Sequence, residues 1–417
     1  MVKKFTIILA VLLNSFFGFS QETFKAMFYN VLNFPLQEPA SRIQYLDVIL
    51  TDYLPDLFMI NELNNETGAN TILQILQFIN PDYERATFVE NTSDNNIGDQ
   101  NDLQNMIFYD SSKFILESQV VITSIYRDFN HYRLKLNTVN QVNNPIYIDV
   151  FVAHLKASRG ADNIAYRKQM VDDFVSYLST MPSDSNILLA GDFNLYTSSE
   201  PAFQELIDNT NNITLMDPAN RIGSWSNNTN YIDVFTQSTR TTSAIGGASG
   251  GFDDRFDFIM TSENMVTNPD ISFVPNSYQV YGNNNNTNCY NNNINSTNCN
   301  GSTFSPFIRE ALYYFSDHLP VTLTLQTNET LGTKKFELKN EITIEGSNLV
   351  KNNISLKINS QLTIKKLSIY NILGQKMEEY QVEDRNFVKL NVSYLSSGMY
   401  YIITDNSIIE PLKFIKR

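Results

Sequence analysis

An acid and an amide one residue apart, Asp192 and Asn194, close the run Asn186-Ile187-Leu188-Leu189-Ala190-Gly191-Asp192-Phe193-Asn194. Four apolar residues ended by a glycine are the pattern of a buried parallel strand. Side chains at i and i+2 share one face of extended chain, so the acid and the amide are expected to project together. They would do so at the strand's carboxyl end, where open α/β sheets place ligands. Carboxylate and amide oxygens are the hard donors that Mg2+ or Ca2+ takes. Taken alone, the pair reads more simply as turn formers.

Polar residues at the ends of other apolar runs change that reading. Asn30 lies at the end of the first run, Phe24 to Asn33, and Glu62 closes Leu57-Phe58-Met59-Ile60-Asn61-Glu62. His154 ends the run Ile146 to Leu155. Asp257 sits inside the apolar segment Arg255-Phe256-Asp257-Phe258-Ile259-Met260. A lone buried carboxylate costs several kcal/mol, so a basic group or a metal is expected beside it. Asp317 and His318 precede a closing strand whose edge Pro320 marks. The chain has three histidines, and His131, between Asn130 and Tyr132, is assigned no role.

The elements that must position these groups alternate. Helical spacing covers Ser41 to Tyr53, Thr71 to Phe78 and Ala161 to Leu178, while strands are expected at Asp102–Tyr109, Gln119–Ile125 and Ile146–Leu155. At 417 residues two domains are the natural prior, and 42% hydrophobic content with 12% aromatics excludes global disorder. Met1-Val2-Lys3-Lys4 followed by an apolar run from Phe5 to Phe19 reads as a secretory signal cut after Ser20. That run is shorter than the roughly 20 residues of a membrane span, and no stable membrane insertion is expected. Cys289 and Cys299 lie in an Asn-rich stretch, Gly282 to Gly301. In a secreted chain they are expected to form a local disulfide closing an exposed excursion.

Charge is uneven. The formal net is −14, but residues 334–417 hold 13 bases against 9 acids, and the middle of the chain holds 15 bases against 35 acids. Such a field repels polyanions. A polyanionic substrate therefore requires a local basic patch or a bound cation. Lys156 and Arg159, just after His154, are the expected phosphate contacts, whereas Arg167 and Lys168 read equally as a solvated helix start.

Together, Tyr29-Asn30-Val31, Asn61-Glu62, His154-Leu155-Lys156, Gly191-Asp192-Phe193-Asn194, Asp257 and Ser316-Asp317-His318-Leu319-Pro320 resemble the endonuclease/exonuclease/phosphatase superfamily, in its order, over roughly residues 24–326. The segment from Val152 to Asn194 looks closest to secreted deoxyribonuclease-type nucleases. The resemblance implies an α/β fold, a four-layer α/β sandwich of two packed mixed sheets flanked by helices. It implies Asn30 and Glu62 as a metal pair with Asp317 as a further ligand, for a divalent cation, Mg2+ first with Ca2+ or Mn2+ as alternatives. It implies Asp192 as the residue that orients or deprotonates the attacking water, with Asn194 binding phosphate beside it. His318 would be held by Asp257. His154 would be a second acid/base histidine, whose own glutamate is not placed between Glu90 and Asp102.

Leu367 to Lys376, Leu395 to Ile403 and Lys413 to Arg417 resemble the type A carboxyl-terminal sorting domain of type IX secretion. The expected organisation is a signal peptide (1–20), a catalytic domain (21–326), a linker (327–335) and a small all-β sandwich sorting domain (336–417). The resemblance implies a secreted or cell-surface endonuclease acting on DNA or RNA, handled by the type IX machinery. A phospholipid phosphodiesterase or phosphatase with the same site is the alternative; an inactive surface-binding protein would need loss of a matched residue, and none is missing.

Overall fold

The computed structural model describes residues 21–93, 103–332, 342–358, 364–382, 386–405 and 411–417. The expected signal peptide, the end of the expected linker and residues 94–102 lie outside them. The chain divides into two compact units, Met1–Thr333 and Lys334–Arg417. The strands of the first unit are β1 (Glu22–Phe34), β2 (Leu57–Leu63), β3 (Tyr83–Arg85), β4 (Gln104–Asp110), β5 (Phe114–Ile122), β6 (Phe129–Leu136) and β7 (Tyr147–His154). They continue with β8 (Ile187–Asp192), β9 (Leu215–Met216), β10 (Asp257–Ser262), β11 (Ser272–Phe273), β12 (Gln279–Val280) and β13 (Val321–Thr327). Its helices are α1 (Ile43–Tyr53), α2 (Glu66–Ile79), α3 (Ala161–Leu178), α4 (Pro201–Leu206) and α5 (Pro306–Phe315).

One sheet has the order β11-β13-β1-β2-β4-β3, with β12 also on β13, and the other β5-β6-β7-β8-β10-β9. Each is mixed: β1 and β2 are parallel, as are β7 and β8, while β13, β4, β6 and β10 join antiparallel. The sheets face each other through β1, β2 and β4 on one side and β7, β8 and β10 on the other. Helix α2 packs on β3 beside α1, which meets α5, and α3 packs on β5 and α4. This is a four-layer α/β sandwich. Its central strands are covered on both faces, so they read as near-continuous apolar runs. Val150, Phe151, Val152, Leu188 and Leu189 are fully buried, each worth about 1.5–3 kcal/mol.

Helix ends follow local chemistry. The Asn65 side chain accepts from Gly68 N–H at the start of α2, and Ser305 accepts from Ile308 N–H ahead of Pro306 in α5. Helix α3 has the bounds expected from its spacing. Strand β6 has no counterpart among the expected strands. Its polar His131 is buried because its ring stacks on Phe151 and bonds Asp149 Oδ1 (2.8 Å) and the Tyr177 hydroxyl (2.9 Å).

The Asn-rich stretch is a correction. Cys289 and Cys299 are disulfide-bonded as expected, but the segment is no exposed excursion. Cys289, Ile294 and Cys299 are buried, and the buried Arg309 of α5 donates to the carbonyls of Ile294 (2.7 Å) and Ser296 (2.9 Å). Its asparagines bind backbone elsewhere, Asn283 to Ile232 O and Asn284 to Phe304 O.

The second unit has β14 (Ile342–Ile344), β15 (Leu349–Val350), β16 (Asn353–Ile358), β17 (Lys366–Asn371), β18 (Lys376–Gln381), β19 (Phe387–Asn391), β20 (Gly398–Thr404) and β21 (Leu412–Lys416). They form a β14-β16-β19 sheet and a β15-β21-β20-β17-β18 sheet. Alternate residues such as Ile354, Leu356, Leu367, Ile369 and Ile402 enter one shared core, as a sandwich requires. Among the described residues no helix is long and apolar enough to cross a membrane.

Candidate active site

Three neighbouring strands of the second sheet bring His154, Asp192 and Asp257 level, since His154 stands in register with Asp192 and Asp192 with Asp257. Register partners share a face, so all three side chains leave the sheet on one side. Gly191 makes this close spacing possible: a Cβ there would lie 2.1 Å from the Ala153 carbonyl oxygen of β7.

The first sheet contributes from opposite this row. Asn30 on β1 is in register with Asn61 on β2, after which β1/β2 and β2/β4 pairing both slip. The irregularity holds Glu62 at φ 59°. Such a bulge re-aims a side chain at a local cost of about 1–3 kcal/mol. The Asn30 amide donates to Glu62 Oε1 (2.9 Å) and Asp192 Oδ2 (3.2 Å), while its oxygen accepts from Leu32 N–H (3.0 Å). Asn30 therefore gathers the carboxylates with its nitrogen; its oxygen is turned toward the backbone.

His318 arrives on the segment leading into β13, fixed by the Ser316 hydroxyl donating to Asn30 O (2.7 Å). Its Nδ1 lies 2.7 Å from Asp257 Oδ2, the partner that burial of Asp257 demands. Its Nε2 lies 3.7 Å from Asp192 Oδ2. On the far side of Asp192, His154 Nε2 lies 3.6 Å from the same oxygen and 4.0 Å from Glu62 Oε1. No carboxylate supports His154 from behind among the described residues, and its Nδ1 has no partner. Asp317 Oδ2 accepts from Ala248 N–H (2.6 Å) and the Gln237 amide (3.2 Å), and its buried Oδ1 has no hydrogen-bond partner among the described residues.

Asn194 departs from simple alternation. Its backbone is left-handed (φ 52°), its N–H bonds Asp192 Oδ1 (3.0 Å), and its amide donates to Leu155 O (3.3 Å). Gln237 carries no sequence signal, yet its Nε2 is 2.6 Å from His318 Nε2. It comes from an irregular segment in which no spacing marks it.

Burial shapes the charges. It raises the Glu62 carboxyl, aided by nearby Asp317, and pushes Asp192 up to about 8 against the opposing pull of His318. Burial would lower His318, but the carboxylates of Asp257, Asp317 and Asp192 prevail and hold it well above an ordinary imidazole. His154 is driven well below by burial and by Arg127, whose guanidinium also bonds the Leu155 carbonyl (3.1 Å).

At the rim, Lys156 Nζ lies 5.0 Å over the Tyr126 ring. Arg159 lies 3.8 Å over Tyr196 and donates to Ser226 Oγ (2.6 Å), with the Asp253 and Asp254 carboxylates nearby. Arg167 is buried against Glu200 (2.6 Å), and Lys168 pairs with Asp172 and Glu205, so both serve the fold.

The donor set suits a divalent ion. One oxygen each of Glu62 and Asp192 and one ring nitrogen of His154 lie within 4.8 Å of one another, and a second group joins Asp192, Asp257 and His318.

Residues 348–416 match the family described as the secretion system C-terminal sorting domain. The tail is a sorting domain. The region ahead of the sorting domain is similar in shape to several solved structures. The human Nocturnin catalytic domain with bound sulfate is 14% identical, over 74% of this chain and 97% of that one, at a TM-score of 0.45. D. rerio TDP2 complexed with single-strand DNA product is 15% identical, over 73% and 99%, at 0.45. An endonuclease/exonuclease/phosphatase family protein from Bacteroides thetaiotaomicron is 13% identical, over 74% and 98%, at 0.43. No curated protein matches the chain.

Proposed function

We propose that the unit ahead of the sorting domain is an exported, divalent-cation-dependent phosphodiesterase of the endonuclease/exonuclease/phosphatase type, a sequence-indifferent endonuclease on DNA with RNA as a second substrate. The observation that carries this is the convergence of Asn30, Glu62, His154, Asp192, Asp257 and His318, drawn from both sheets and the segment leading into β13, in one cluster. Glu62 and Asp192 are the first holders of the cation; Asp317 Oδ1, without a hydrogen-bond partner among the described residues, is a further oxygen donor. When bound, the cation supplies charge compensation at the phosphoryl oxygens. Asp192 orients the attacking water and takes its proton. Asp257 fixes His318, which donates from Nε2 to the transition-state oxygens. One Asn194 N–H is used on Leu155, and the other is directed to phosphate. Lys156 and Arg159 contact the flanking phosphates, which makes binding weak and salt-sensitive.

The test is incubation of the purified protein with supercoiled plasmid in Mg2+, Mn2+ or Ca2+. Nicking is expected to vanish in excess EDTA and return with the ion; plasmid left intact in every ion would refute the nuclease. A second reading has support in the acidic surroundings of Arg159, which disfavour a long polyanion. Cleavage of a choline phospholipid or a small phosphomonoester, with plasmid spared, would select it.

Proton linkage gives a further prediction. The Asp192 carboxyl stays protonated up to about 8 in the cation-free site, so a cation must displace that proton. Cation affinity is expected to rise with pH toward 8, by up to about tenfold per unit for one proton. Calorimetric Mn2+ titrations at pH 6.5 and 8.5, in two buffers of different ionisation enthalpy, measure both affinity and released protons. Equal affinities with no proton release would contradict it.

A further inference from the structure

The two active-site imidazoles are held in different ways. His318 is a hydrogen-bonded histidine, its Nδ1 on Asp257 Oδ2 at 2.7 Å. His154 is 3% exposed and forms no hydrogen bond from Nδ1 among the described residues. Its Nε2 is aimed between Asp192 Oδ2 at 3.6 Å and Glu62 Oε1 at 4.0 Å. Both separations exceed a hydrogen bond. They stay inside the roughly 4.2 Å that separates opposite ligands at bonds of about 2.1 Å, so small side-chain shifts would bring the ring nitrogen and both oxygens onto one ion. All three atoms lie within 4.8 Å of one another, close enough to converge on one ion. The Asn30 Nδ2, at 2.9 and 3.2 Å from the same two carboxylate oxygens, places donor hydrogens between them.

We infer that His154 binds the cation directly through Nε2, alongside Glu62 and Asp192, and that this mixed nitrogen–oxygen set favours a first-row transition ion over Mg2+. The inference rests on the phosphodiesterase reading for the existence of a cation centre. It gives His154 a role that needs no glutamate of its own. An imidazole nitrogen adds more to the binding of a transition ion than to that of Mg2+, which prefers oxygen and sheds water reluctantly.

Mn2+ is the probe, because its electron spin reports ligand nitrogens. In pulsed EPR of the purified protein with one equivalent of Mn2+, 14N modulation from a coordinated imidazole is expected. His154→Gln should lose that modulation and bind Mn2+ at least about tenfold more weakly, while Mg2+ affinity, read by competition, shifts less than about threefold. His318→Gln should keep the modulation. Bound Mn2+ without 14N modulation in the wild type would overturn the inference and leave the phosphodiesterase reading standing. So would modulation that survives in H154Q and is lost in H318Q. Failure of the wild type to bind Mn2+ at all would remove the cation centre itself, and both readings with it. The wild-type and H318Q spectra decide the matter even if H154Q does not fold.

Discussion

Asp192→Asn is expected to lower kcat for plasmid nicking by roughly three orders of magnitude while the protein stays folded. Asp192 is the point where the two sheets' contributions meet: one of its oxygens lies 3.2 Å from the Asn30 amide, 3.6 Å from His154 Nε2 and 3.7 Å from His318 Nε2. The amide keeps the shape but removes the negative charge, and with it both the base and a cation oxygen. Stability should move little, by about 1 kcal/mol or less in EDTA near neutral pH. The reason is that burial already holds this carboxyl protonated up to about 8 without the cation, so a neutral isostere replaces a largely neutral acid. Initial rates of plasmid nicking and thermal melts of the chelated protein check the two halves separately. Near wild-type turnover would remove Asp192 from the chemistry; an unfolded variant would show that its role is architectural.

Asp257→Ala is expected to damage both activity and stability. Asp257 is fully buried and its Oδ2 holds His318 Nδ1, which sets the tautomer that leaves Nε2 facing Asp192. Loss of that partner should reduce kcat by about a thousandfold or more, by analogy with other carboxylate–imidazole pairs. The folded protein also loses a buried pair, at a cost of about 3–5 kcal/mol. The pH dependence has a definite sign. His318 is held well above its ordinary value in the fold, so its pairing stabilises fully below the unfolded imidazole value and fades as pH rises through the folded one. The gap in stability between wild type and D257A should therefore be widest in mild acid and narrow toward alkaline pH. Urea melts in EDTA across that range read it directly. A gap that widens with rising pH would mean that the pair is not the source of the stabilisation.

Much of the site was legible because its residues lie in short strings at the ends of apolar runs. Strand ends and register account for the row of His154, Asp192 and Asp257, while Asn194, expected to project with Asp192, leaves the alternation. Asp192 was legible in this way, whereas Glu62 is re-aimed by a bulge that no pattern announces; the buried Asp257 called for a basic group or a metal, and His318 is beside it. Residues outside periodic segments were not legible. Gln237 approaches His318 from an irregular connection, and no spacing distinguishes it from any surface glutamine. The direction of the Asn30 amide was equally hidden, since a strand pattern fixes a face but does not say whether oxygen or nitrogen points into the pocket. The Asn-rich segment misled for a physical reason: asparagine reads as solvent-facing polarity, yet here its amides satisfy backbone carbonyls while Ile294 and the disulfide supply the buried anchor. Arg167 shows the converse, a basic residue on a charged helix that is sequestered against Glu200.

The way Asn30 bridges Glu62 and Asp192 bears on how the proposed cation centre would be loaded. With an amide cross-linking its acids, the pocket is assembled before any ion arrives. Loading then needs that amide to release the two oxygens and Asp192 to give up its proton, while the strands stay in place. On the proposed function, an exported protein built this way would take up its ion on arrival without rearranging its strands.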